Sequence, residues 1–223
     1  MEEQNLEFRA TKDIDLVLLT NGSAALNARI SGYVKEGKYK VKEATKEGPR
    51  YYRFREPASE EFPDSIEIFA RNEQNIDLAD GQYVIPIQND EVARISAILL
   101  DEEYFAIIKA NCVRASGGAS LINALANICL KARAHRELSE RRARGEKVDE
   151  KDVKKHRNDI LRLAVTLTGG ERLALGPQAK VDLVMALKLL QEMPEPQFKQ
   201  VMEKYPGVKQ AEALTLVRNV FSL

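Results

Sequence analysis

The spacing of apolar residues changes at residues 116–118, a Ser-Gly-Gly segment, and this change limits the folds open to the chain. Before it, short apolar runs such as residues 13–20 lie between turn residues, which is typical of strands. After it, apolar residues recur every three or four positions through long stretches such as residues 121–142, which predicts helices. We therefore expect an α+β fold with an α/β domain over residues 1–115 and a helical domain over residues 116–223.

The same patterns predict individual elements. In the first half we expect strands at residues 13–20, 39–44, 50–55, 65–70, 83–87 and 93–99 and helices at residues 24–36 and 101–110. The second and third strands should form a hairpin. In the second half we expect helices at residues 121–142, 148–167 and 180–191, followed by two short helices.

Composition excludes several classes of protein. Lys and Arg number 34 and Asp and Glu also number 34, so the chain is not globally basic and any nucleic-acid binding must use a local patch. Cys112 and Cys129 form no metal-binding motif, which argues against a zinc site or a disulfide scaffold and favours the cytoplasm. The N-terminus lacks a signal-peptide pattern, and no apolar run approaches the roughly 20 residues that span a bilayer. With only two histidines, carboxylates and lysines are expected to carry any chemistry.

Asp13 and Asp15 are the first candidate functional residues. Side chains two apart in a strand share a face, so the two carboxylates should project together from the start of an apolar strand. They would repel one another unless a cation lay between them, and a hard divalent ion such as Mg²⁺ suits oxygen ligands. The alternative is an ordinary acidic start to a strand, because such pairs of acids are common in this composition.

Glu67 is the second candidate, because it stands between Ile66 and Ile68 in a predicted strand and points away from both. On a strand next to Asp13 and Asp15 it would complete a set of three carboxylates, which can hold metal ions around a phosphoryl group. The alternative is a solvated outer face of a half-exposed strand.

The third candidate is a basic stretch over residues 131–157, which has eleven Lys and Arg residues against six acidic residues. Its net charge of +5 leaves −5 for the rest of the neutral chain, which favours a polyanionic partner such as a nucleotide or RNA. The alternative, a solvated helical hairpin with ion pairs four residues apart such as Arg133 with Glu137, remains open.

Several of these residues fall within motifs of a known superfamily. Residues 9–16, RATKDIDL, resemble the R-x-T-x-D-h-D-h motif of the nucleotidyltransferase superfamily, and most closely that of the AbiEii-type toxins and the uncharacterised bacterial proteins grouped with them. Residues 66–68 resemble the strand with the third carboxylate. Residues 130–134 are similar to the L-K-x-x-A helix, and residues 155–160 to the K-D-x-x-D-[IL] segment, with His156 where an acid is usual. A second placement of that last motif, on Lys151 and Asp152, brings its other acid out of register.

The resemblance implies a small mixed sheet flanked by helices, with a helical domain behind it. It implies Mg²⁺-dependent transfer of a nucleoside monophosphate from an NTP to a hydroxyl of RNA, such as tRNA, or of protein. It also implies a toxin–antitoxin or phage-defence role, with a cognate antitoxin as partner and no membrane.

The resemblance also implies roles for particular residues. Asp13 and Asp15 would bind metal, and Glu67 would bind metal or act as the general base. Lys131 and Lys155 would bind the triphosphate, and Asp159 would orient these lysines. Arg9 and Thr11 would shape the entry to the strand.

One element of the superfamily is expected to be absent. Its D-x-D strand normally follows a helix and a strand that ends in G-[GS], whereas eight residues precede Arg9 here. Gly22-Ser23 follows the D-x-D motif and is explained by a turn and a helix cap. The chain then either starts late or is a reduced form, and the unpaired edge of the Asp13 strand would favour pairing with another chain. Three hypotheses follow: an enzyme, a non-catalytic RNA- or partner-binding module, and a scaffold protein.

Overall fold

The computed structural model describes residues 12–18, 24–45, 48–71, 84–86, 96–115, 118 and 120–223. Within these ranges the chain forms two compact units that divide inside one helix, between Phe105 and Ala106. We call them the sheet unit, which ends at Phe105, and the helical unit, which runs from Ala106 to Leu223. Together they confirm the prediction of a mixed α and β protein, whereas the domain boundary at residues 115 and 116 stays a prediction.

The sheet unit contains six strands and a helix among its described residues. In chain order these are β1 (Asp13–Leu18), α1 (Ala24–Glu36), β2 (Lys40–Thr45), β3 (Gly48–Arg55), β4 (Ser65–Arg71), β5 (Val84–Pro86) and β6 (Ser96–Leu100). The predicted elements of this region are therefore confirmed, with ends that differ by a few residues. Helix α2 (Glu102–Ala110) follows and crosses into the helical unit.

Strand β4 is the centre of a mixed sheet. Strand β1 pairs with it in parallel along Ser65 to Ala70, which fills one of its edges. Two strands pair with its other edge. The antiparallel β3 pairs with Ser65 to Glu67, and the parallel β6 pairs with Phe69 to Arg71. Strands β2 and β5 then extend the sheet as antiparallel neighbours of β3 and β6.

The apolar core of the sheet unit lies on one face of the sheet. Ile66 and Ile68 of β4 are 3% and 0% exposed, and they pack with Leu18 and with Ile30 of α1 in one buried cluster. Helix α1 ends where predicted, before Gly37, whose amide donates to the Tyr33 carbonyl over 3.0 Å. A side chain at position 37 would meet two aromatic rings within 3 Å, so the close approach requires glycine.

The described residues of the helical unit form a short hairpin and five helices, besides the end of α2. In chain order these are β7 (Cys112–Arg114), β8 (Ser120–Ile122), α3 (Ala124–Ala143), α4 (Glu150–Ala164), α5 (Pro177–Gln191), α6 (Glu195–Val201) and α7 (Gln210–Phe221). The predicted long helices are confirmed. The hairpin was not predicted, and the helix expected from residue 121 begins at Ala124, because Leu121 belongs to β8.

Side-chain caps and a shared core fix these helices. Asn123 accepts a hydrogen bond from the Ala126 amide at the start of α3, and Asp149 accepts one from the Lys151 amide at the start of α4. The largest fully buried apolar side chains of the unit are Ile108, Ile128, Ile160, Leu161, Leu163, Leu183, Leu187, Leu190, Val217 and Phe221. None of the helices in the described ranges combines the length and apolar character that a bilayer crossing requires.

Candidate functional site

Strand β1 carries two carboxylates on the face of the sheet opposite the apolar core. Its parallel register sets Asp13 beside Ser65 and Asp15 beside Glu67 of β4. Residues two apart on a strand share a face, as do paired residues on neighbouring strands. Asp13, Asp15 and Glu67 therefore project from one face, which we call the carboxylate face. Their roles as metal ligands stay predictions.

Asp13 has a defined neighbour on this face. The Ser65 hydroxyl donates to Asp13 Oδ1 over 2.9 Å, although the two residues are 52 positions apart in the chain. Asp13 and Asp15 are both exposed. Solvent can thus reach the two carboxylates, and the hydroxyl fixes the position of one of them.

Glu67 is held by arginine side chains from β3. Arg53 Nε lies 2.7 Å from Glu67 Oε1, and Arg53 Nη2 donates to Glu67 Oε2 over 3.3 Å. Arg55 Nη2 lies 3.6 Å from Glu67 Oε1. The two guanidinium groups add positive charge to the carboxylate face.

Arg53 and Arg55 were not among the residues predicted to function. The sequence does contain a signal, because Arg53 and Arg55 alternate with Phe54, whose side chain is 3% exposed. This alternation places both arginines on the face opposite the core. Pairing them with Glu67 requires the register of β3 against β4, in which Arg53 lies beside Glu67.

The carboxylate face contains the residues predicted to bind Mg²⁺. Among the described residues, no group of three or more His, Cys, Asp or Glu side chains is arranged to hold a metal ion. Mg²⁺ commonly takes only one or two protein carboxylates and completes its shell with water and substrate phosphates. The oxygen donors of Asp13 and Asp15 fit that requirement, whereas Glu67 is engaged by Arg53.

In the helical unit, the predicted triphosphate-binding lysines lie on two adjacent helices, Lys131 on α3 and Lys155 on α4. Both lower the pKa of the His156 imidazole, which means that both positive charges act on the same side chain. Asp159 is 1% exposed, and its Oδ1 accepts a hydrogen bond from Arg162 Nη1 over 2.7 Å. Its contact with Arg162 was not predicted from the sequence.

His156 has an unusual environment. Burial is the main cause that lowers its pKa to about 4, followed by the charges of Lys131 and Lys155. Its Nδ1 is buried and has no hydrogen-bond partner among the described residues, and the same holds for Arg157 Nε and Asn158 Oδ1. The His156 imidazole is therefore neutral and is affected by the charges of Lys131 on α3 and Lys155 on α4. Next to it in the chain, the Arg157 guanidinium is partly desolvated.

His156 should make the stability of the protein depend on pH. The unfolded chain binds a proton at the imidazole near pH 6.5, whereas the folded protein resists protonation until about pH 4, so stability falls as the pH is lowered between these values. We expect His156→Gln to reduce the loss between pH 7 and pH 4.5 by roughly 2 kcal/mol. Urea unfolding of the wild type and the variant at both pH values measures the free energy of unfolding. His135 is present in both proteins, so its own titration contributes to both. Equal losses in the two proteins would contradict the assignment.

The basic stretch over residues 131–157 is largely paired within itself. Six of its basic residues make ion pairs with acids of the same stretch, namely Arg133, Arg136, Arg141, Arg142, Arg144 and Lys154. The predicted pair of Arg133 with Glu137 is present at 2.7 Å. Five basic residues of the stretch make no ion pair with a described residue: Lys131, Lys147, Lys151, Lys155 and Arg157.

The predicted site residues thus occupy two units. Asp13, Asp15 and Glu67 belong to the sheet unit, and Lys131, Lys155 and Asp159 belong to the helical unit. Arg9 and Thr11 lie outside the described residues. Comparisons of the chain with protein-family models, with curated proteins and with solved structures found no match. A functional assignment therefore depends on the chemistry of these side chains.

Proposed function

We propose that the chain is a nucleotidyltransferase that requires Mg²⁺ and moves a nucleoside monophosphate from an NTP to a hydroxyl of RNA or protein. The main support is the parallel register of β1 and β4, which puts Asp13 and Asp15 on one face beside Glu67. The order of sequence motifs resembles that of the nucleotidyltransferase superfamily and supports the same function. From the same resemblance we propose a role in a toxin–antitoxin or phage-defence system in the cytoplasm, with a cognate antitoxin as partner.

In this proposal Asp13 and Asp15 are the residues that would hold Mg²⁺, which supplies positive charge against the phosphates when it is bound. The acceptor hydroxyl oxygen forms a bond to the α-phosphorus while the bond to pyrophosphate breaks. A carboxylate of the carboxylate face takes the hydroxyl proton. Glu67 keeps Arg53 on this face, where the guanidinium can donate to phosphate oxygens.

Lys131 and Lys155 of the helical unit keep their predicted role as phosphate-binding residues in this proposal. Each is partly buried, and both act electrostatically on His156, so two positive charges are present around the same imidazole. The lowered pKa of His156 keeps the imidazole neutral at pH 7, which leaves it free to accept or donate a hydrogen bond. In this proposal the two lysines supply the positive charge for phosphate binding, and His156 supplies none.

The proposal is tested by incubating the purified full chain with Mg²⁺, each common ribonucleoside triphosphate labelled at the α-phosphate, and either bulk tRNA or no added acceptor. We expect label to pass to the tRNA or to the protein, and EDTA to prevent it. The absence of both NTP binding and label transfer under all of these conditions would reject the enzyme assignment.

A second candidate function is a non-catalytic module that binds RNA or a partner. The ion pair of Glu67 with Arg53 favours it, because an engaged carboxylate is not available as a ligand. We expect this module to bind RNA in a salt-sensitive way, to tolerate Asp13→Asn, and to weaken about tenfold when Lys151 and Lys155 are both replaced by alanine. Lys199→Ala is the matched control, since Lys199 is paired with Glu195 on α6. An RNA affinity that changes neither with salt concentration nor on replacement of these lysines would exclude this function.

A further inference from the structure

Arg55 of β3 has unused hydrogen-bonding capacity on the carboxylate face. It lies beside Ser65 of β4, and its side chain is 40% exposed, so a ligand can reach it. Its Nε is buried and has no hydrogen-bond partner among the described residues. Its contact with Glu67 is long, with 3.6 Å between Nη2 and Oε1. Because a guanidinium carries several N–H donors in a planar fork, Arg55 retains donors for a ligand.

The acids nearest to Arg55 are engaged by other side chains. Arg53 Nε lies 2.7 Å from Glu67 Oε1, and Arg53 Nη2 donates to Glu67 Oε2 over 3.3 Å, so one guanidinium contacts both oxygens of this carboxylate. Glu56, the acid next to Arg55 in the chain, is paired with Lys40 over 2.9 Å. The two arginines thus share one carboxylate, which leaves an excess of positive charge on this part of the face.

Arg71 shows how a structural arginine on the same face is satisfied. It stands on β4 at an even spacing from Glu67 and therefore shares its face. Its Nε and Nη2 donate to the two oxygens of Glu102 over 2.8 and 2.9 Å, which is a bidentate pair. Its guanidinium also lies 5.7 Å from the centre of the Phe105 ring. Arg55 has no pair of this kind with a described residue, so a structural ion pair does not account for it.

Strand pairing divides the carboxylate face into an acidic side and a basic side. One row across the sheet sets Asp13 on β1, Ser65 on β4 and Arg55 on β3 next to one another. Asp15 and Arg53 occupy the same two sides in the next row. Neighbouring strands are about 4.8 Å apart, so the aspartates and the arginines are about 10 Å apart at the backbone. A polyphosphate bound to a metal ion has the same division, with a cation at one place and anionic oxygens beyond it.

We propose that Arg55, together with Arg53, binds the phosphate groups of the nucleotide on the basic side of the carboxylate face. The nature of the ligand rests on the proposed function, whereas the cationic site rests on the contacts of Arg55. The N–H edges of a guanidinium match two oxygens of one phosphate group. Because the arginines carry their own charge, this binding needs no metal ion, and inorganic pyrophosphate alone should occupy the site.

Calorimetric titration of the full chain with inorganic pyrophosphate, in buffer freed of divalent cations, tests the proposal. We expect the wild type to bind with a dissociation constant of about 1 mM or lower and Arg55→Gln to bind about tenfold more weakly. Arg55→Lys keeps the charge but loses the fork, so it should weaken binding by about threefold, and it serves if the neutral variant does not fold. Thermal unfolding of each variant checks the fold.

Arg29→Gln is the matched control, because it removes the same charge from the same unit. Arg29 is exposed on α1, and this helix packs against the opposite, apolar face of the sheet through Ile30. Its replacement should leave the pyrophosphate affinity unchanged.

A nitrogen–proton NMR spectrum locates the bound anion. The Arg55 Nε signal, identified by its absence from the spectrum of Arg55→Lys, should shift as pyrophosphate is added. A wild type that does not bind pyrophosphate, or equal binding by wild type and Arg55→Gln, would overturn this inference, and label transfer by such a chain would leave the proposed function standing. Pyrophosphate binding that depends on Arg55 in a chain that transfers no label would support this inference alone.

Discussion

Replacing Asp13 with asparagine is expected to lower the Mg²⁺-dependent transfer of a nucleotide label by about a hundredfold or more. The change removes one negative charge from the carboxylate face, and the remaining amide is a poorer ligand for a hard cation. Asparagine keeps an oxygen that can accept the Ser65 hydroxyl bond of 2.9 Å, so the local structure should persist. The measurement is the initial rate of label transfer at saturating Mg²⁺ for wild type and variant.

Glu60→Gln provides the matched control for this prediction. Glu60 is an exposed acid of the same unit, between β3 and β4, and it lies outside the carboxylate face. Its replacement should leave the rate within about twofold of wild type, as expected for a surface change. Thermal unfolding of both variants checks that the fold is retained. A variant at Asp13 that transfers label at the wild-type rate would show that this carboxylate has no part in the reaction.

Replacing Asp182 with alanine is expected to reduce the free energy of unfolding by about 3–5 kcal/mol. Asp182 is 0% exposed on α5, where it accepts hydrogen bonds from Arg136 over 2.6 Å and from Gln178 over 2.7 Å. Arg133 Nη1 lies 3.6 Å from its other oxygen. Asp182 is the principal cause that raises the pKa of Arg136, and its removal would leave Arg133 and Arg136 with the exposed Glu137 and Glu140 as their counterions among the described residues. Urea unfolding at pH 7 measures the loss.

A double variant separates the loss of the charge pair from the loss of packing. When Asp182→Leu is combined with Arg136→Met, no buried charge is left unpaired, and the destabilisation should fall to about 1 kcal/mol or less. Glu195→Ala on α6 is the exposed control, because its ion pair with Lys199 lies in solvent and should contribute under about 1 kcal/mol. Equal destabilisation by Asp182→Ala and Glu195→Ala would contradict the role given to Asp182.

Local pattern was sufficient to predict most of the secondary structure. The apolar run from Asp13 predicts β1, and Gly37 predicts the end of α1, because both signals are contained within a few neighbouring residues. The common face of Asp13 and Asp15 follows from strand geometry alone. The hairpin of β7 and β8 was missed because each strand has three residues, too few for an alternating pattern to emerge.

The partners of charged residues could not be predicted in the same way. Asp182 stands among Val181 and Leu183, and only the packing of α3 against α5 brings Arg136 to it. Arg53 meets Glu67 through pairing between strands, which depends on register and not on sequence spacing. Strand geometry thus predicts the common face of Asp13 and Asp15, whereas the ion pair of Glu67 with Arg53 could not be predicted from the sequence.

The pairing of β1 with β4 also bears on when the carboxylate face can form during folding. The hydrogen bond between Ser65 and Asp13 closes a loop of 52 positions, and closing a long loop costs entropy before its contacts form. The hairpin of β2 and β3 is local and can form first. A nascent chain must therefore be synthesised through β4 before β1 can pair with it, so we expect the carboxylate face to assemble after the hairpin of β2 and β3.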